Sequence, residues 1–278
     1  MSDFRFKSSP ENLTGSEVRI IEYFYKNIEQ IPFMPIRELA EELQISTATL
    51  SRFATHMGYR NLRQLKMEIL KAERISPSKK ISNMIVGEES FSVGRLMERE
   101  IENLKITLQQ VSTEEMEKAI KALTQARRVY VHGKGASRGV AYLVEFRLKR
   151  YGMDCHHIEA SGSEIFEDMA GIQKEDVLIL YGFGKVPLET RILLDYAKKI
   201  ECQVILFTDY PPMIASSGEL ILMSCYRGEA QEYHSLTSPS ALTDVLLLLL
   251  GKSKEVSQLG DLNRLFELKE AYKHQMPR

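Results

Sequence analysis

Two short runs of apolar residues at helical spacing, separated by a turn, make residues 36–59 the most informative part of the chain. Their apolar positions are Leu39, Ala40 and Leu43 in the first run and Leu50, Phe53 and Met57 in the second. Because spacings of three and four place residues on one helical face, the pattern predicts two amphipathic helices. Ser46 precedes the second run and is expected to cap that helix, because a serine oxygen can accept a hydrogen bond from a free backbone N–H there.

The face of the second predicted helix opposite its apolar side is polar. A helix that presents hydroxyls, an arginine and a histidine can enter the DNA major groove and bond to phosphates and base edges. We expect such DNA contacts from Ser46, Thr47, Thr49, Ser51, Arg52 and His56. Arg52 is the main candidate for a base-edge or phosphate contact. The basic residues that follow are expected to hold the DNA backbone, namely Arg60, Arg63 and Lys66.

The charge distribution agrees with DNA binding. The whole chain has a formal net charge of −1, but residues 46–80 contain eight Lys or Arg and two Glu. A basic block in an otherwise balanced protein is the electrostatic footprint expected of phosphate contact. The alternative is a helical packing module whose basic face meets only solvent.

Helical periodicity continues on both sides of this pair. Residues 13–31 and 61–75 are predicted to form flanking amphipathic helices, the first capped by Thr14 or Ser16. Residues 75–82 combine Pro, Ser and paired Lys, which is typical of a boundary. We therefore expect a helix-turn-helix domain over residues 1–78.

A further helix is predicted over residues 91–110, within a linker that we assign to residues 79–111. Its apolar positions follow spacings of four and three, and they are Met97, Ile101, Leu104, Leu108 and Val111. About two heptads of such a seam suffice for a pairing helix. Periodicity alone leaves open whether this seam docks on its own chain or contacts a second copy.

From residue 128 onward, short β-branched or aliphatic runs alternate with helical segments, over a domain that we assign to residues 112–278. The predicted strands are 129–132, 155–158, 177–181, 204–208 and 220–223. The predicted helices are 137–151, 163–171, 188–200 and 238–250. Such alternation builds βαβ units. The sequence thus predicts an all-α N-terminal domain followed by an α/β domain, whose parallel sheet is covered on both faces.

Two glycine-containing loops follow the first and third predicted strands. Ligands of parallel sheets bind at the carboxyl ends of the strands, near the point where strand order reverses, and a helix N-terminus favours an anion. We therefore expect one shared crevice for a phosphorylated small molecule. The first loop contains Gly133, Lys134, Gly135, Ala136, Ser137 and Arg138, and the second loop contains Tyr181, Gly182, Phe183, Gly184, Lys185 and Val186.

Two other interpretations of the glycine pattern remain open. Gly133, Gly135 and Gly139 form a GxGxxxG variant of the dinucleotide fingerprint, and Glu159 follows near the place of a ribose-binding acid. Alternatively, these glycines serve only the turns between strands and helices.

Catalysis by the second domain is the rival class of function. Proton transfer on a phosphorylated substrate needs a base beside the reacting carbon, usually Glu or His. Residues of a suitable type are His156, His157, Glu164, Glu167 and His234. They form no recognisable catalytic constellation, so we expect no enzyme activity, no catalytic residue and no cofactor.

Cysteine content and hydropathy restrict the class of protein further. The three cysteines lie far apart with no CxxC pair, which argues against a disulfide framework or a metal site and favours the cytoplasm. The first residues have no apolar core typical of a signal peptide. The longest strongly apolar run, residues 245–250, is too short to span a bilayer, so we expect no membrane association.

The two halves together resemble the RpiR family of bacterial transcriptional regulators. The resemblance rests on residues 36–66 (IRELAEELQISTATLSRFATHMGYRNLRQLK), 129–141 (VYVHGKGASRGVA) and 176–190 (DVLILYGFGKVPLET). It implies a helix-turn-helix domain joined to a sugar isomerase (SIS) domain, the latter a five-stranded parallel αβα sandwich. It also implies a homodimer or homotetramer that binds double-stranded operator DNA. Such a regulator senses a sugar phosphate or other small anion and controls carbohydrate-related genes.

The first glycine loop matches the GxGxS pattern of that family at Gly133, Gly135 and Ser137, but the second loop departs from the family's Ser-x-Ser-Gly-x-Thr pattern. With Gly184 placed on the family's glycine, aromatic or aliphatic residues stand where hydroxyls are expected, at Tyr181, Phe183 and Val186. Each neutral hydrogen bond lost costs about 0.5–1.5 kcal/mol. Three kinds of effector therefore stay open: an unusual phosphate ester, a more apolar anion, or none.

Overall fold

A computed structural model of the protein describes residues 4, 6–8, 13–28, 30–73, 80–81, 92–184, 186–209, 220–229, 232–253 and 256–275. Its first four helices are α1 (Gly15–Lys26), α2 (Ile36–Glu42), α3 (Thr47–His56) and α4 (Leu62–Glu73). The predicted helix pair, now α2 and α3, is confirmed together with its two flanking helices. The domain boundary expected after residue 78 lies outside the described residues.

Helix α1 begins and ends inside its predicted span. Its N-cap is Thr14, whose hydroxyl accepts a hydrogen bond from the Glu17 N–H at 3.3 Å, while the Glu17 carboxylate accepts one from the Thr14 N–H at 2.9 Å. This capping box satisfies two backbone donors that a helix start leaves free. At the other end the Asn27 side-chain amide donates to the Tyr23 carbonyl at 3.0 Å, and the helix ends there, before the predicted end at Ile31.

Aromatic rings form the centre of the N-terminal domain. Phe53 of α3 is fully buried, and its ring centroid lies 5.6 Å from that of Phe6 and 5.8 Å from that of Phe24. Both pairs are edge-to-face, an arrangement that the ring quadrupole favours. Apolar side chains of all four helices join this cluster, including the six that the periodicity predicts for α2 and α3.

Before the sheet come the helices α5 (Val93–Gln110) and α6 (Thr113–Gln125). The start predicted for α5 at residue 91 lies outside the described residues. Helix α6 is absent from the sequence interpretation, although Ser112 caps it by accepting a hydrogen bond from the Glu115 N–H at 3.2 Å. The Ser-x-x-Glu pattern of residues 112–115 is the signal that could have revealed this helix.

Five parallel strands form the sheet, β1 (Val129–Gly133), β2 (Cys155–His157), β3 (Val177–Tyr181), β4 (Gln203–Thr208) and β5 (Leu220–Ser224). They are hydrogen-bonded in the order β2-β1-β3-β4-β5, so the strand order reverses between β1 and β3. In that pair Gly133 lies opposite Tyr181. The two glycine loops therefore leave the sheet side by side, at the kind of switch point where ligands of such sheets bind.

The remaining helices are α7 (Ser137–Arg150), α8 (Ile165–Ala170, after a 3-10 turn at Gly162–Glu164), α9 (Leu188–Lys199), α10 (Thr237–Ser253) and α11 (Val256–Ala271). Residues of α6, α7 and α10 join one apolar cluster on the sheet, and residues of α8 and α9 join another. The expected αβα sandwich is confirmed, with α11 as an element that the sequence interpretation did not include. No helix in the described ranges is long and apolar enough to cross a membrane.

Helix α5 packs against α10, and its polar side faces its own domain. The buried Thr107 hydroxyl accepts a hydrogen bond from the Tyr226 N–H at 2.9 Å, and the Glu100 carboxylate accepts one from the Ser235 hydroxyl at 2.6 Å. The apolar seam of α5 is instead largely exposed, at Met97, Ile101 and Leu108. The predicted seam is therefore divided: these three side chains face away from the described part of their own chain, whereas Leu104 is half-buried and Val111 packs against the apolar cluster of the sheet.

Candidate functional site

The start of α3 forms as the sequence predicts. The Ser46 hydroxyl oxygen accepts a hydrogen bond from the Thr49 N–H at 3.1 Å and lies 2.9 Å from the Thr49 hydroxyl. In the turn before it, Gln44 adopts a left-handed backbone with a φ of 53°. A residue of this conformation commonly ends a helix, and here it ends α2 and lets α3 begin at the surface.

The outward face of α3 is polar and accessible. Thr47, Ser51, Arg52 and His56 are exposed on it, together with Ala48. The Ser51 hydroxyl donates to the Thr47 carbonyl at 3.0 Å, so its oxygen remains available as an acceptor. In the part of the chain that the structure describes, no ion pair engages Arg52.

Two of the predicted DNA contacts are engaged within the protein. The Nδ1 atom of His56 lies 2.6 Å from the Glu17 carboxylate of α1. The Lys66 ammonium donates to a backbone carbonyl in the connection between α1 and α2, and burial lowers the pKa of Lys66. Arg60 and Arg63 are exposed. Of the residues expected to hold the DNA backbone, these two arginines are the accessible ones.

The first glycine loop folds tightly against the start of α7. A Cβ atom on Gly133 would lie 2.7 Å from the Ser137 carbonyl oxygen, so only glycine fits there. Gly135 has a φ of +63°, a conformation that glycine adopts without strain. Ser137 is buried as the first residue of α7. The exposed members of the loop are Lys134, Gly135, Ala136 and Arg138. This turn places the start of α7 at the carboxyl edge of β1.

The first loop is tied to the helix that follows the second loop. The Lys134 ammonium donates to the carboxylate of Glu189, which lies in the first turn of α9. That hydrogen bond, with another from the backbone N–H of Glu189 itself, holds the pKa of this carboxyl below its usual range. The contact brings the two loops together, as a shared crevice requires. It also places a carboxylate, which sequence reasoning missed, beside a cation expected to face an anion.

The aromatic side chains of the second loop make contacts within the protein. Tyr181 is fully buried, with its hydroxyl 2.8 Å from the Thr243 hydroxyl of α10 and its ring stacked on Phe207 at 4.7 Å. The ring of Phe183 lies 4.5 Å from the guanidinium of Arg227. Tyr181 therefore belongs to the core beneath α10, and Phe183 belongs to a contact with the segment after β5.

A carboxylate lies against the backbone of the second loop. The Oδ1 atom of Asp209 accepts a hydrogen bond from the Gly184 N–H at 2.8 Å, and its Oδ2 atom lies 3.7 Å from Nη1 of Arg227. Asp209 follows β4 directly, so the carboxyl-end argument used for the glycine loops could have found it. The other predicted members of this loop are Gly182, which is buried, Val186, which is half-buried, and Lys185, which lies outside the described residues.

Buried polar atoms at this edge of the sheet have no hydrogen-bond partner among the described residues. They are Nε2 of His132, both ring nitrogens of His157, and Oγ1 of Thr190. Burial lowers the pKa of both histidines, which favours neutral imidazoles near pH 7. Because buried polar groups are normally hydrogen-bonded, these atoms are available to bond to a ligand or to water.

The residues considered as catalytic bases do not come together. His156 pairs with Asp154 at 2.8 Å, and Glu159, considered as a ribose-binding acid, accepts a hydrogen bond from the Tyr142 hydroxyl. His157 directly follows His156 and is half-buried, and the remaining candidates are exposed or half-buried in separate segments, at Glu164, Glu167 and His234. Within the described ranges no group of three His, Cys, Asp or Glu residues could hold a metal ion.

Comparison with protein families identifies both halves of the chain. Residues 5–76 match the family model of the helix-turn-helix domain of the rpiR family, and residues 122–249 match that of the SIS domain. An HTH-type transcriptional regulator of Haemophilus influenzae is 25% identical over 196 residues, which cover 68% of this chain and 67% of the relative. The HTH-type transcriptional regulator YfhH of Escherichia coli is 24% identical over 258 residues, which cover 88% of this chain and 90% of the relative.

Solved structures share the fold. The sugar isomerase domain of an RpiR transcription factor from Sphaerobacter thermophilus has a TM-score of 0.57 at 21% identity, and the match covers 63% of this chain and 97% of that domain. The Vibrio vulnificus NanR protein, complexed with ManNAc-6P, has a TM-score of 0.56 at 19% identity, and the match covers 99% of this chain and 98% of that protein. At these identities the similarity is one of fold.

Proposed function

Since the chain belongs to the rpiR family of helix-turn-helix proteins and also carries a SIS domain, we propose that it is a bacterial transcriptional regulator of RpiR type. It binds double-stranded operator DNA through α3 and controls carbohydrate-related genes. Its effector is a sugar phosphate or similar small anion bound in the SIS domain. One observation carries the proposal: a single chain combines an open polar face on α3 with two glycine loops at the switch point of a parallel sheet.

The DNA contacts divide by role. Arg52 reads a base edge or grips a phosphate, because its guanidinium is exposed on α3 and presents a fork of donors suited to both. Thr47 and Ser51 add hydroxyl contacts on the same face. Arg60 and Arg63 hold the DNA backbone from the start of α4. His56 and Lys66 act mainly by fixing α3 and α4 to the rest of the domain, since both are engaged there.

The effector binds at the first loop. The start of α7 offers backbone N–H groups, the Ser137 hydroxyl and the dipole of a 14-residue helix to an anion. A phosphorylated sugar is supported as its class because NanR, which shares this fold, was obtained with ManNAc-6P. Binding alters the relation of two DNA-binding domains through α5, and such coupling typically amounts to about 1–3 kcal/mol.

A second copy of the chain covers the exposed seam of α5. Helix α10, which packs against α5, adds exposed apolar side chains at Val245 and Leu248. Apolar surface of this kind usually marks an interaction site. The resulting homodimer, or a homotetramer built from it, places two copies of α3 in successive major grooves of a pseudo-palindromic operator.

A sugar-phosphate isomerase is the alternative function. It is disfavoured because the curated relatives are named transcriptional regulators and because the candidate bases are dispersed. The three cysteines, Cys155, Cys202 and Cys225, are buried and form no disulfide, which fits a protein of the reducing cytoplasm.

A gel-shift assay tests the DNA-binding part of the proposal. The purified protein is mixed with fragments that flank its own coding region, at salt concentrations between about 50 and 200 mM. Affinity is expected to fall steeply over this range, because each neutralised phosphate releases counterions. An acidic protein of similar size is the control. Binding no stronger than that of the control would refute DNA binding, and binding that does not weaken with salt would refute phosphate contact by the basic residues.

A further inference from the structure

We propose that the carboxylate of Asp209 occupies the anion seat of the second loop, so that the first loop alone holds the anionic group of the effector. The anion seat is the position at the Gly184 N–H, where the Asp209 Oδ1 atom lies. This inference rests on the proposed effector site and specifies what that site selects. It makes Asp209 a specificity-determining residue.

The position beside Gly184 suits a negative charge. Its N–H lies just before α9, a 12-residue helix whose N-cap, Pro187, supplies no side-chain hydrogen bond. The partial positive charge of such a helix start favours an anion. Asp209 provides that anion from within the chain, at a distance of 2.8 Å from the amide nitrogen. A phosphate oxygen would need the same N–H.

Arg227 fixes the carboxylate in place. Its Nη1 atom faces Asp209 at 3.7 Å, while its Nε and Nη2 atoms donate to the Ser235 carbonyl at 2.9 Å and the His234 carbonyl at 3.0 Å. The side chains of Asp209 and Arg227 are only 2% and 11% exposed. Salt screens a buried charge pair only weakly, so the attraction of Arg227 holds the carboxylate in this position.

The departure of the second loop from the family pattern now has a physical explanation. A hydroxyl residue at position 183 would offer a donor to phosphate, whereas the ring of Phe183 offers a face to the guanidinium of Arg227 at 4.5 Å. Tyr181 directs its hydroxyl to Thr243 in the core. The loop thus supports an internal ion pair in place of a bound anion. A phosphoryl group at the seat would meet Asp209 as a like charge.

Inorganic phosphate and the variant Asp209→Ala test the proposal. Removal of the carboxylate vacates the seat and leaves the Gly184 N–H and Arg227 beside it. Equilibrium dialysis is expected to show one more bound phosphate per chain in Asp209→Ala than in the wild type. The affinity of the second loop for phosphate should be at least about tenfold higher in the variant, because one charge-assisted hydrogen bond is gained. The matched control is Asp209→Asn, whose neutral side chain still fills the space and is expected to add no phosphate.

A double variant locates the added phosphate. In Ser137→Ala/Asp209→Ala the first loop is impaired, so phosphate that persists belongs to the second loop. Loss of the added phosphate in this variant would overturn the proposal, and so would an Asp209→Ala protein that is folded by circular dichroism yet binds no more phosphate than the wild type.

A measurement on the wild-type protein tests the proposal without relying on the folding of a variant. In protein labelled with 15N-glycine, the Gly184 amide resonance is expected to stay unchanged as inorganic phosphate is added. A saturable shift of that resonance would show phosphate at the seat and overturn the proposal. These outcomes are separate from the gel shift. Failure to bind DNA would reject the regulator function, whereas the phosphate measurements alone decide whether Asp209 occupies the anion seat.

Discussion

The proposed DNA-binding face and the proposed effector crevice differ in the contacts that their polar groups make within the protein. On α3, Arg52 is exposed and, within the described residues, free of ion pairs. In the crevice, Lys134 is paired with Glu189, and the Gly184 N–H is bonded to Asp209. On the proposed function, DNA displaces water and counterions from α3, whereas an effector binds among groups that already satisfy one another.

This difference bears on specificity. An open face recognises whatever surface complements its donors, so its affinity is set by charge and shape and responds to salt. A crevice with internal pairs recognises only a ligand that repays the contacts it disturbs, because polar groups left without a partner are costly. If the proposed sites are right, charge and shape govern binding to the N-terminal domain, and the contacts that a ligand disturbs govern binding to the SIS domain.

The largest effect is expected from a substitution that destabilises the N-terminal domain alone. Phe53→Ala removes the ring at the centre of the aromatic cluster and should destabilise that domain by about 3–5 kcal/mol, the usual cost of deleting a buried Phe. DNA binding should be lost at working temperature, while phosphate binding by the SIS domain is retained. Calorimetric melting measures this as a fall of one transition.

Phe166→Ala is the matched control for Phe53→Ala. Phe166 lies on α8 and is exposed, so its removal should change the free energy of unfolding by less than about 0.5 kcal/mol. A single transition that falls as a whole in Phe53→Ala, with loss of phosphate binding, would show that the two domains do not melt separately and would contradict this expectation.

Removing the main predicted DNA contact is expected to act next most strongly. Arg52→Ala should weaken operator binding by about 1–3 kcal/mol, because a base or phosphate contact by a guanidinium is worth that much. Fluorescence anisotropy with operator DNA measures the change. The control Arg191→Ala removes the same charge from an exposed position on α9. An equal loss in both variants would reduce the role of Arg52 to net charge.

The N-cap of α3 is expected to contribute to the stability of the N-terminal domain. Ser46→Ala removes the acceptor of the Thr49 N–H and should lower the stability of the N-terminal domain by about 1 kcal/mol. Chemical denaturation followed by circular dichroism measures it. Ser16→Ala is the control, since Thr14 and not Ser16 caps α1. If the two serine variants lose the same amount, the cap contributes nothing specific.

The smallest effect is expected from the internal pair of the crevice. The Lys134 hydrogen bond lowers the pKa of Glu189, so the pair contributes stability above the ordinary glutamate pKa of about 4.3 and loses it as pH falls through the lower folded value. Lys134 is about half exposed, so the contribution should stay below about 1 kcal/mol.

The variant Glu189→Gln tests the effect of the Lys134–Glu189 pair on stability and on phosphate binding. Its unfolding free energy should change less than that of the wild type between about pH 5 and pH 3, because the titrating carboxyl is gone. Its first loop should bind inorganic phosphate more tightly, because Lys134 is released. Parallel pH profiles of the two proteins would speak against a stabilising Lys134–Glu189 pair.

The elements with strong local signals were predictable from the sequence. The helices α2 and α3 follow from apolar spacing and the Ser46 cap, and the five strands follow from short aliphatic runs between turn residues. Helix α6 was missed although its buried residues Met116, Ala119 and Leu123 follow helical spacing, because the Ser-x-x-Glu capping pattern at its start was not recognised. Helix α11 lies after the last predicted element, and the described residues beyond it contain no strand that would complete another βα unit.

The amino-acid sequence by itself determined the two-domain organisation, the fold of each domain, the polar face of α3 and the place of both glycine loops, because periodicity and turn chemistry are local. Only the tertiary structure decided which polar groups meet. Glu189 reaches Lys134 across 55 positions, and Asp209 reaches Gly184 across 25. It also turned the seam of α5 outward. Such choices depend on strand order and helix docking, since contacts between distant segments are set by packing and leave no mark in any one stretch of the chain.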